Sequence, residues 1–254
     1  MRIHDNRLVP DHTRVCVIIP NFNYARYLTE SIESVLNQSH QHLDLIIVDD
    51  GSTDDSVRVA ERKLAEANGE RRASLFNRKE NTGKLAALNS IQEHITAPFM
   101  LTLDADDQLE PHYIETCLRR LLGLREESPR TGFVYTDCRL MDESGRVLDR
   151  GRSTSFDPEK LRTLSYIPEP ALCLSEAFLE VMPFDISIKV GTKHHKWLRM
   201  VENGWAGHHI PEPLFRYRMH SANLSGIGSR VLGEIDSGQS GERILSGYWS
   251  TSHH

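Results

Sequence analysis

Apolar positions along this chain follow two different spacings. Arg14–Pro20 (RVCVIIP) and Leu43–Asp49 (LDLIIVD) are short β-branched runs, and Ser74–Asn77 and Phe99–Leu103 (FMLTL) are two more; each predicts a strand. Between them the period lengthens. Leu28, Ile32, Val35 and Leu36 make the stripe of a core-facing helix, as do Val57, Ala60, Leu64 and Ala67. Gly83–Ile95 carries Leu85, Leu88 and Ile95, and Pro111 opens a helix bearing Ile114, Cys117, Leu118, Leu121 and Leu122. Strands separated by helices imply βαβ units and a mostly parallel sheet. Ligands of such sheets bind at the carboxyl ends of the strands. That rule singles out the loops Pro20–Tyr24, Asp49–Asp54, Asn77–Lys84 and Asp104–Gln108, all rich in Asp, Asn, Gly, Ser or Thr.

After about residue 125 the pattern changes. Gly132–Met141 and Arg146–Leu148 predict a hairpin around Glu143-Ser144-Gly145. Pro158–Ser165, Ser175–Val181 and Lys193–Asn203 predict helices, the last with Trp197, Leu198 and Val201 on its apolar side, and Pro213–His220 predicts a strand. This half reads as a smaller mixed lobe packed on the first. From Ser221 onward Gly and Ser accumulate and periodicity fades, so residues 226–254 are expected to form a mobile tail.

Composition narrows the function classes. The 254 residues are 39% apolar and 26% charged, a globular balance. Thirty Lys and Arg stand against 36 Asp and Glu, a net charge of −6 that argues against a nucleic-acid partner. The locally basic stretches Arg71–Lys79 and Arg119–Arg125 read as solvated helix faces. No window reaches the length of an apolar membrane span, and Met1–Pro10 has no signal-like apolar core. Cys16, Cys117, Cys138 and Cys173 form no CxxC pair. Reduced thiols and a cytoplasmic location are therefore the expectation, and structural zinc is not.

Three loops carry candidate chemistry. In Val48-Asp49-Asp50-Gly51-Ser52-Thr53-Asp54 two adjacent carboxylates end a buried strand, where one could accept hydrogen bonds from a base or a ribose. A capped strand-to-helix turn explains the same residues. In Leu103-Asp104-Ala105-Asp106-Asp107 three carboxylates lie within four positions. Close like charges raise one another's pKa unless a cation sits between them, and Mg²⁺ or Mn²⁺ commonly bridges carboxylate to phosphate. The bland alternative is a polar turn before a helix. Asn81-Thr82-Gly83-Lys84 offers a close backbone approach and a phosphate-compensating lysine, but it is not a P-loop.

In chain order, Val17-Ile18-Ile19-Pro20-Asn21-Phe22-Asn23-Tyr24, Val48–Asp54, Asn81-Thr82-Gly83 with Ala87-Leu88-Asn89, and Leu103–Asp107 together closely resemble the family 2 glycosyltransferases of the GT-A fold. Pro211-Glu212-Pro213-Leu214 with Arg216–His220 resembles the end of the same domain, so the likeness covers roughly residues 14–225. It implies a GT-A-like, Rossmann-like α/β fold. Residues 1–107 would form a nucleotide-sugar-binding half and 108–225 an acceptor-binding half of one domain. Carried over by matching residues, Pro20, Asn21, Asn23 and Tyr24 would line the nucleoside, with Asp49 and Ser52 beside them. Asp50 would bind the base, uracil being the expected one. Asn81, Gly83 and Lys84 would lie near the phosphates. Asp104 would contact ribose or metal, Ala105 would sit between the acids, and Asp106 would hold Mn²⁺ or Mg²⁺. Asp107 would be an alternative ligand. His220 would close over the diphosphate or metal, or be structural.

One departure stands out. The family usually presents Glu-Asp at the start of the helix that here reads Gly191-Thr192-Lys193-His194-His195-Lys196-Trp197-Leu198-Arg199, and its Asp serves as the general base. Thr192-Lys193 occupy that place, and neither is a carboxylate. Replacement bases are His194, His195, Asp185 and Glu169, with the histidines favoured by position and by a pKa near neutrality. An acceptor needing little base help, a retaining course, and a binding module without turnover are the other readings. The expected reaction is metal-dependent transfer from a nucleoside-diphosphate sugar, UDP-linked, to a soluble small-molecule or saccharide acceptor, with self-association left open. A nucleotidyltransferase is the remaining alternative; its Gly-rich loop after the first strand is absent.

Overall fold

A computed structural model describes residues 12–68, 70–221 and 223, with the backbone of 243–244. Val15–Asn21 (β1) and Leu43–Asp49 (β2) form parallel neighbours, Val15 opposite Leu43 and Asn21 opposite Asp49. Both are buried almost throughout, which explains their continuous apolar runs: a central parallel strand is covered on both faces. Ala25–Leu36 (α1) joins them and buries Leu28, Ile32 and Val35. Ser56–Leu64 (α2) leads to Arg72–Asn77 (β3), parallel to β2. Lys84–Ser90 (α3) and a 3₁₀ turn at Gln92–His94 lead to Phe99–Thr102 (β4), parallel to β1. The strand order β4-β1-β2-β3 reverses direction at β1. A crevice forms at such a switch point beyond the carboxyl ends of the two strands.

Pro20 fits this geometry. It pairs with Val48 of β2, while β4 has already turned away after its last pairing with Ile18. A residue with no N–H is tolerated where no ladder bond is asked of it.

The second half continues the same sheet. Gln108–Leu109 (β5), Tyr113–Glu127 (α4), Thr131–Met141 (β6) and Val147–Arg152 (β7) follow, β6 and β7 forming the expected hairpin. Pro158–Leu161 (α5) is capped by Asp157, whose carboxylate accepts from Glu159 N and Lys160 N. Leu172–Leu174 (β8) ties β6 to β4 in antiparallel pairings. Ser175–Leu179 (α6) and Thr192–Glu202 (α7) precede Ala206–Arg218 (β9), which runs parallel along β6 and also pairs with β5. Arg243–Ile244 (β10) lies parallel to β7. The rest of the expected tail, 226–254, lies outside the described residues. Among the described residues no helix is long and apolar enough to cross a membrane.

Several elements differ from the sequence expectation. The helix over Gly83–Ile95 is interrupted after Ser90, and that over Pro158–Ser165 is a single turn. β5 and β8 are too short to show a period. The strand expected at Pro213–His220 is the end of the 13-residue β9. Its first part, AGHHIPEP, hides its alternation because register shifts against β6 interrupt it. In α7 the buried stripe is Lys193, Lys196, Trp197 and Met200, whereas Leu198 and Val201 are only partly buried.

After β2 the chain turns through Gly51, whose φ is +75°. A Cβ there would stand 2.8 Å from the Glu80 carbonyl carbon and 2.9 Å from Asn81 N. Both penalties fall on backbone that cannot swing aside. Gly51→Ala is expected to lower stability by about 1–3 kcal/mol, read as a lower urea midpoint with an unchanged slope.

Candidate active site

The carboxyl ends of β1 and β2 are knitted by Asp49. Its Oδ1 accepts from Asn21 Nδ2 at 2.7 Å and Ser52 Oγ at 2.6 Å, and its Oδ2 from Ser52 N at 2.8 Å. Asn23, held at φ +58°, accepts from Thr53 N at 2.8 Å and donates its own N–H to Ser52 Oγ at 2.9 Å. Asn, a short polar residue, is among the few that take this left-handed conformation readily. Asn21, Asn23, Asp49 and Ser52 thus form a scaffold for the rim. Asn21 Oδ1 is buried there with no hydrogen-bond partner, an acceptor a nucleobase N–H could satisfy.

Asp50 reaches the other way. Its Oδ1 pairs with Arg78, and its Oδ2 accepts from Thr82 N at 3.1 Å and Gly83 N at 2.7 Å. Gly83 has φ +101°, and the next residue, Lys84, begins α3. The Lys84 ammonium pairs with Asp104 Oδ1 and stands 3.3 Å from Glu169 Oε1. Two consecutive residues therefore tie the acids after β2 to the acids after β4.

Asp104, Asp106 and Asp107 offer carboxylate oxygens within 4.8 Å of one another. Burial first, and then the neighbouring carboxylates, push Asp107 well above the usual carboxylate range. Burial also raises Asp104, opposed by Lys84. Carboxylate oxygens and an imidazole gathered in one cluster suit a divalent cation. Asp104 and Asp106 would hold it, with His220 beside them. His220 Nε2 lies 2.9 Å from Asp106 Oδ2, and its ring packs against Tyr24 and Tyr27 at 5.8 and 5.2 Å. Asp107 is engaged elsewhere, accepting from Arg218 N at 2.9 Å. The fully buried Arg218 side chain donates to Asp106 O, to Glu143 O and to Glu30, and lies over the Tyr27 ring. Tyr24 loses acidity through burial and the charges of Asp106 and Asp104.

Under Asp104 lies a second charged group. Glu169 Oε1 accepts from Thr102 Oγ1 at 2.5 Å and pairs with Lys196, itself fully buried. The two lysines, Lys196 and Lys84, hold the Glu169 carboxyl below its ordinary range against the penalty of burial, so it is a weak base. Lys193, on the same helix face, is also buried. Burial pushes its pKa from 10.5 down to about 7; Glu169 and Asp104 oppose the shift and Lys84 adds to it.

The histidines favoured by position stand elsewhere. At roughly 100° per residue, His194 and His195 are rotated about 100° and 200° from Lys193 around α7, so lysines occupy the face turned to the acids. His195 packs at 6.3 Å from the Phe184 ring, and burial, then Arg199, lowers its pKa. Asp185 is exposed, accepts from Ser187 N at 2.9 Å, and is held low by Ser187. Sequence reasoning passed over Arg78, Thr102 and Glu30 as site residues.

Comparison with known proteins points to one family and one fold. A family model described as glycosyl transferase family 2 matches residues 16–142. The chain is 29% identical over 215 residues to chondroitin synthase of Escherichia coli, covering 83% of this chain but only 30% of that protein. It is 27% identical over 217 residues to the putative teichuronic acid biosynthesis glycosyltransferase TuaG of Bacillus subtilis, covering 83% and 81%. Among solved structures, S. aureus TarS 1-349 in complex with UDP-GlcNAc matches with a TM-score of 0.64 at 16% identity, over 83% of this chain and 60% of that one. The mannosyltransferase PcManGT from Pyrobaculum calidifontis, in complex with GDP-Man and Mn²⁺, matches at 0.63 and 18%, over 92% and 66%. These two share the GT-A fold with this chain.

The depressed Lys193 pKa has a stability consequence with a definite sign. Below pH 7 the amine is charged in both folded and unfolded chains. Between about 7 and 10.5 only the unfolded chain holds the proton, so stability rises with pH across that window. Lys193→Met is expected to remove this rise, checked by urea unfolding at a series of pH values from 6 to 10.

Proposed function

We propose that this chain, which belongs to glycosyl transferase family 2, transfers a sugar from a nucleoside-diphosphate donor, UDP-linked, to a saccharide or small-molecule acceptor. The observation that carries this reading is the bridge through Gly83 and Lys84, which brings Asp50 and the Asp104–Asp107 cluster to one rim. The nucleotide-sugar complexes of TarS and PcManGT support it on the side of fold.

The chain's own residues divide the work. Asp50 and Asn21 face the base side of the rim, and Asn23 and Ser52 stiffen the loop beneath it. Asp104 and Asp106, with His220 beside them, would hold Mn²⁺ or Mg²⁺, which as a Lewis acid offsets the charge of the diphosphate. Lys84 adds a fixed positive charge at the same place. As the acceptor oxygen bonds to the anomeric carbon, the bond from that carbon to the diphosphate breaks and its electron pair departs with the diphosphate. The acceptor's proton passes to a non-standard base, since among the described residues no carboxylate lies in the first turn of α7.

Asp106→Asn keeps the side-chain volume and removes the charge. It is expected to weaken Mn²⁺-dependent binding of UDP by about 10–100-fold in a calorimetric titration, with the far-ultraviolet circular dichroism unchanged. Equal affinity with and without Mn²⁺ in the unaltered protein would remove the metal from the reading.

A further inference from the structure

A buried guanidinium sits against the Asp104–Asp107 loop. Arg218, at the end of β9, is fully buried. Burying that charge is costly unless its donors are met. Its Nε donates to Asp106 O at 2.9 Å, Nη1 to Glu143 O at 2.9 Å and Nη2 to Glu30 Oε2 at 2.6 Å, and the guanidinium lies 4.7 Å over the Tyr27 ring. The three acceptors belong to the acidic loop, the β6–β7 turn and α1. A guanidinium is planar and rigid, so meeting all three fixes their spacing.

The contacts close a ring around Asp106. Arg218 Nε holds the Asp106 carbonyl, and two residues on, His220 Nε2 lies 2.9 Å from Asp106 Oδ2. The backbone between them is pinned. Arg218 N donates to Asp107 Oδ1 at 2.9 Å, and Met219 N donates to Met141 O at 2.8 Å. Asn223 completes the ring: its Nδ2 donates to Arg218 O at 3.1 Å, and its Oδ1 accepts from His220 N at 2.7 Å. Glu30 stands outside this ring. Its half-exposed carboxylate accepts from Arg218 and from Gln108, the residue after Asp107.

We propose that Arg218 is the positioning residue of the metal site, acting through the Asp106 carbonyl and the His220 main chain, and that Glu30 fixes Arg218 in turn. This rests on the reading of Asp106 and His220 as groups that hold the cation. With its guanidinium held on three sides, Arg218 sets the direction in which the Asp106 carboxylate and the His220 imidazole meet. The arrangement a divalent cation needs is then in place before the cation binds. Control of metal affinity extends to Glu30 on α1, which works only through Arg218.

The test titrates UDP by calorimetry at a fixed Mn²⁺ concentration and again with a chelator. The ratio of the two affinities reads the metal and cancels what a variant does to the nucleoside side. Glu30→Gln removes the charge of a half-exposed side chain at nearly constant shape; Arg218→Lys keeps the charge and loses the fork. The ratio is expected to fall about tenfold in Arg218→Lys, the lower end of what outer partners of metal ligands contribute. It falls by less in Glu30→Gln, and metal-free UDP affinity is unchanged in both. The double variant loses no more than Arg218→Lys alone, because Glu30 works through Arg218. An unchanged ratio in folded Arg218→Lys overturns the proposal, as do additive losses, or a fall in metal-free UDP affinity that accounts for the whole effect. Should Arg218→Lys fail to fold, Glu30→Gln decides, and a ratio equal to that of the unaltered protein overturns the proposal. A ratio of one in the unaltered protein counts against the metal reading itself, whereas a large ratio that both variants keep overturns this proposal alone.

Discussion

Gly83 gives its N–H to Asp50 and Lys84 gives its ammonium to Asp104, and the rim depends on that pair of contacts. The topology brings acids from β2 and β4 to one edge whether or not they are compatible there. Carboxylates within 4.8 Å repel by on the order of 3 kcal/mol at an effective dielectric near 20. Positive groups must therefore be supplied at fixed points. The loop before α3 supplies a backbone dipole to one cluster and an ammonium to the other, from adjacent residues. Gly83 at φ +101° lets both point the right way.

The same logic extends into the acceptor half. Glu169 is carried far from the acids along the chain, yet it collects Lys84, Lys196 and Thr102 directly beneath Asp104. Tyr113 helps fix it by donating its hydroxyl to the Pro170 carbonyl. Buried ion pairs of this kind seldom add net stability over apolar packing, although removing one partner is costly. Their value here is positional. A buried network with few alternative arrangements fixes where Lys84 reaches, and so fixes the second contact of the bridge.

What could be read in the sequence follows from the range of the interactions involved. The four parallel strands and their helices were legible because burial on both faces leaves an unbroken apolar run, as in Val15–Asn21 and Leu43–Asp49. The acidic loops were legible because their chemistry is local: Asp49 and Ser52, or Asp104 and Asp106, are neighbours in sequence. Elements built on distant pairings were not. The first part of β9 takes its shape from β6, where Gly207 leaves room for Phe133, whose ring carbon would lie 2.3 Å from a Cβ. The role of Arg218 is hidden for the same reason, since its partners Glu30, Asp106 and Glu143 come from three separate segments. The histidine pair of α7 was weighed by position and by a pKa near neutrality, without helical phase. Helical phase puts Lys193 and Lys196 on the inner face, and the stripe they share with Trp197 and Met200 makes that visible once the lysines are counted as core residues.

The exchange of a Glu-Asp pair for Thr192-Lys193 moves the local formal charge by three units toward positive. Such a change weakens proton removal from a neutral hydroxyl, since no carboxylate in that turn is left to receive the proton. It also lowers the energy of negative charge gathered nearby, and glycosyl transfer gathers it on the departing diphosphate. The balance shifts from activating the nucleophile toward stabilising the leaving group.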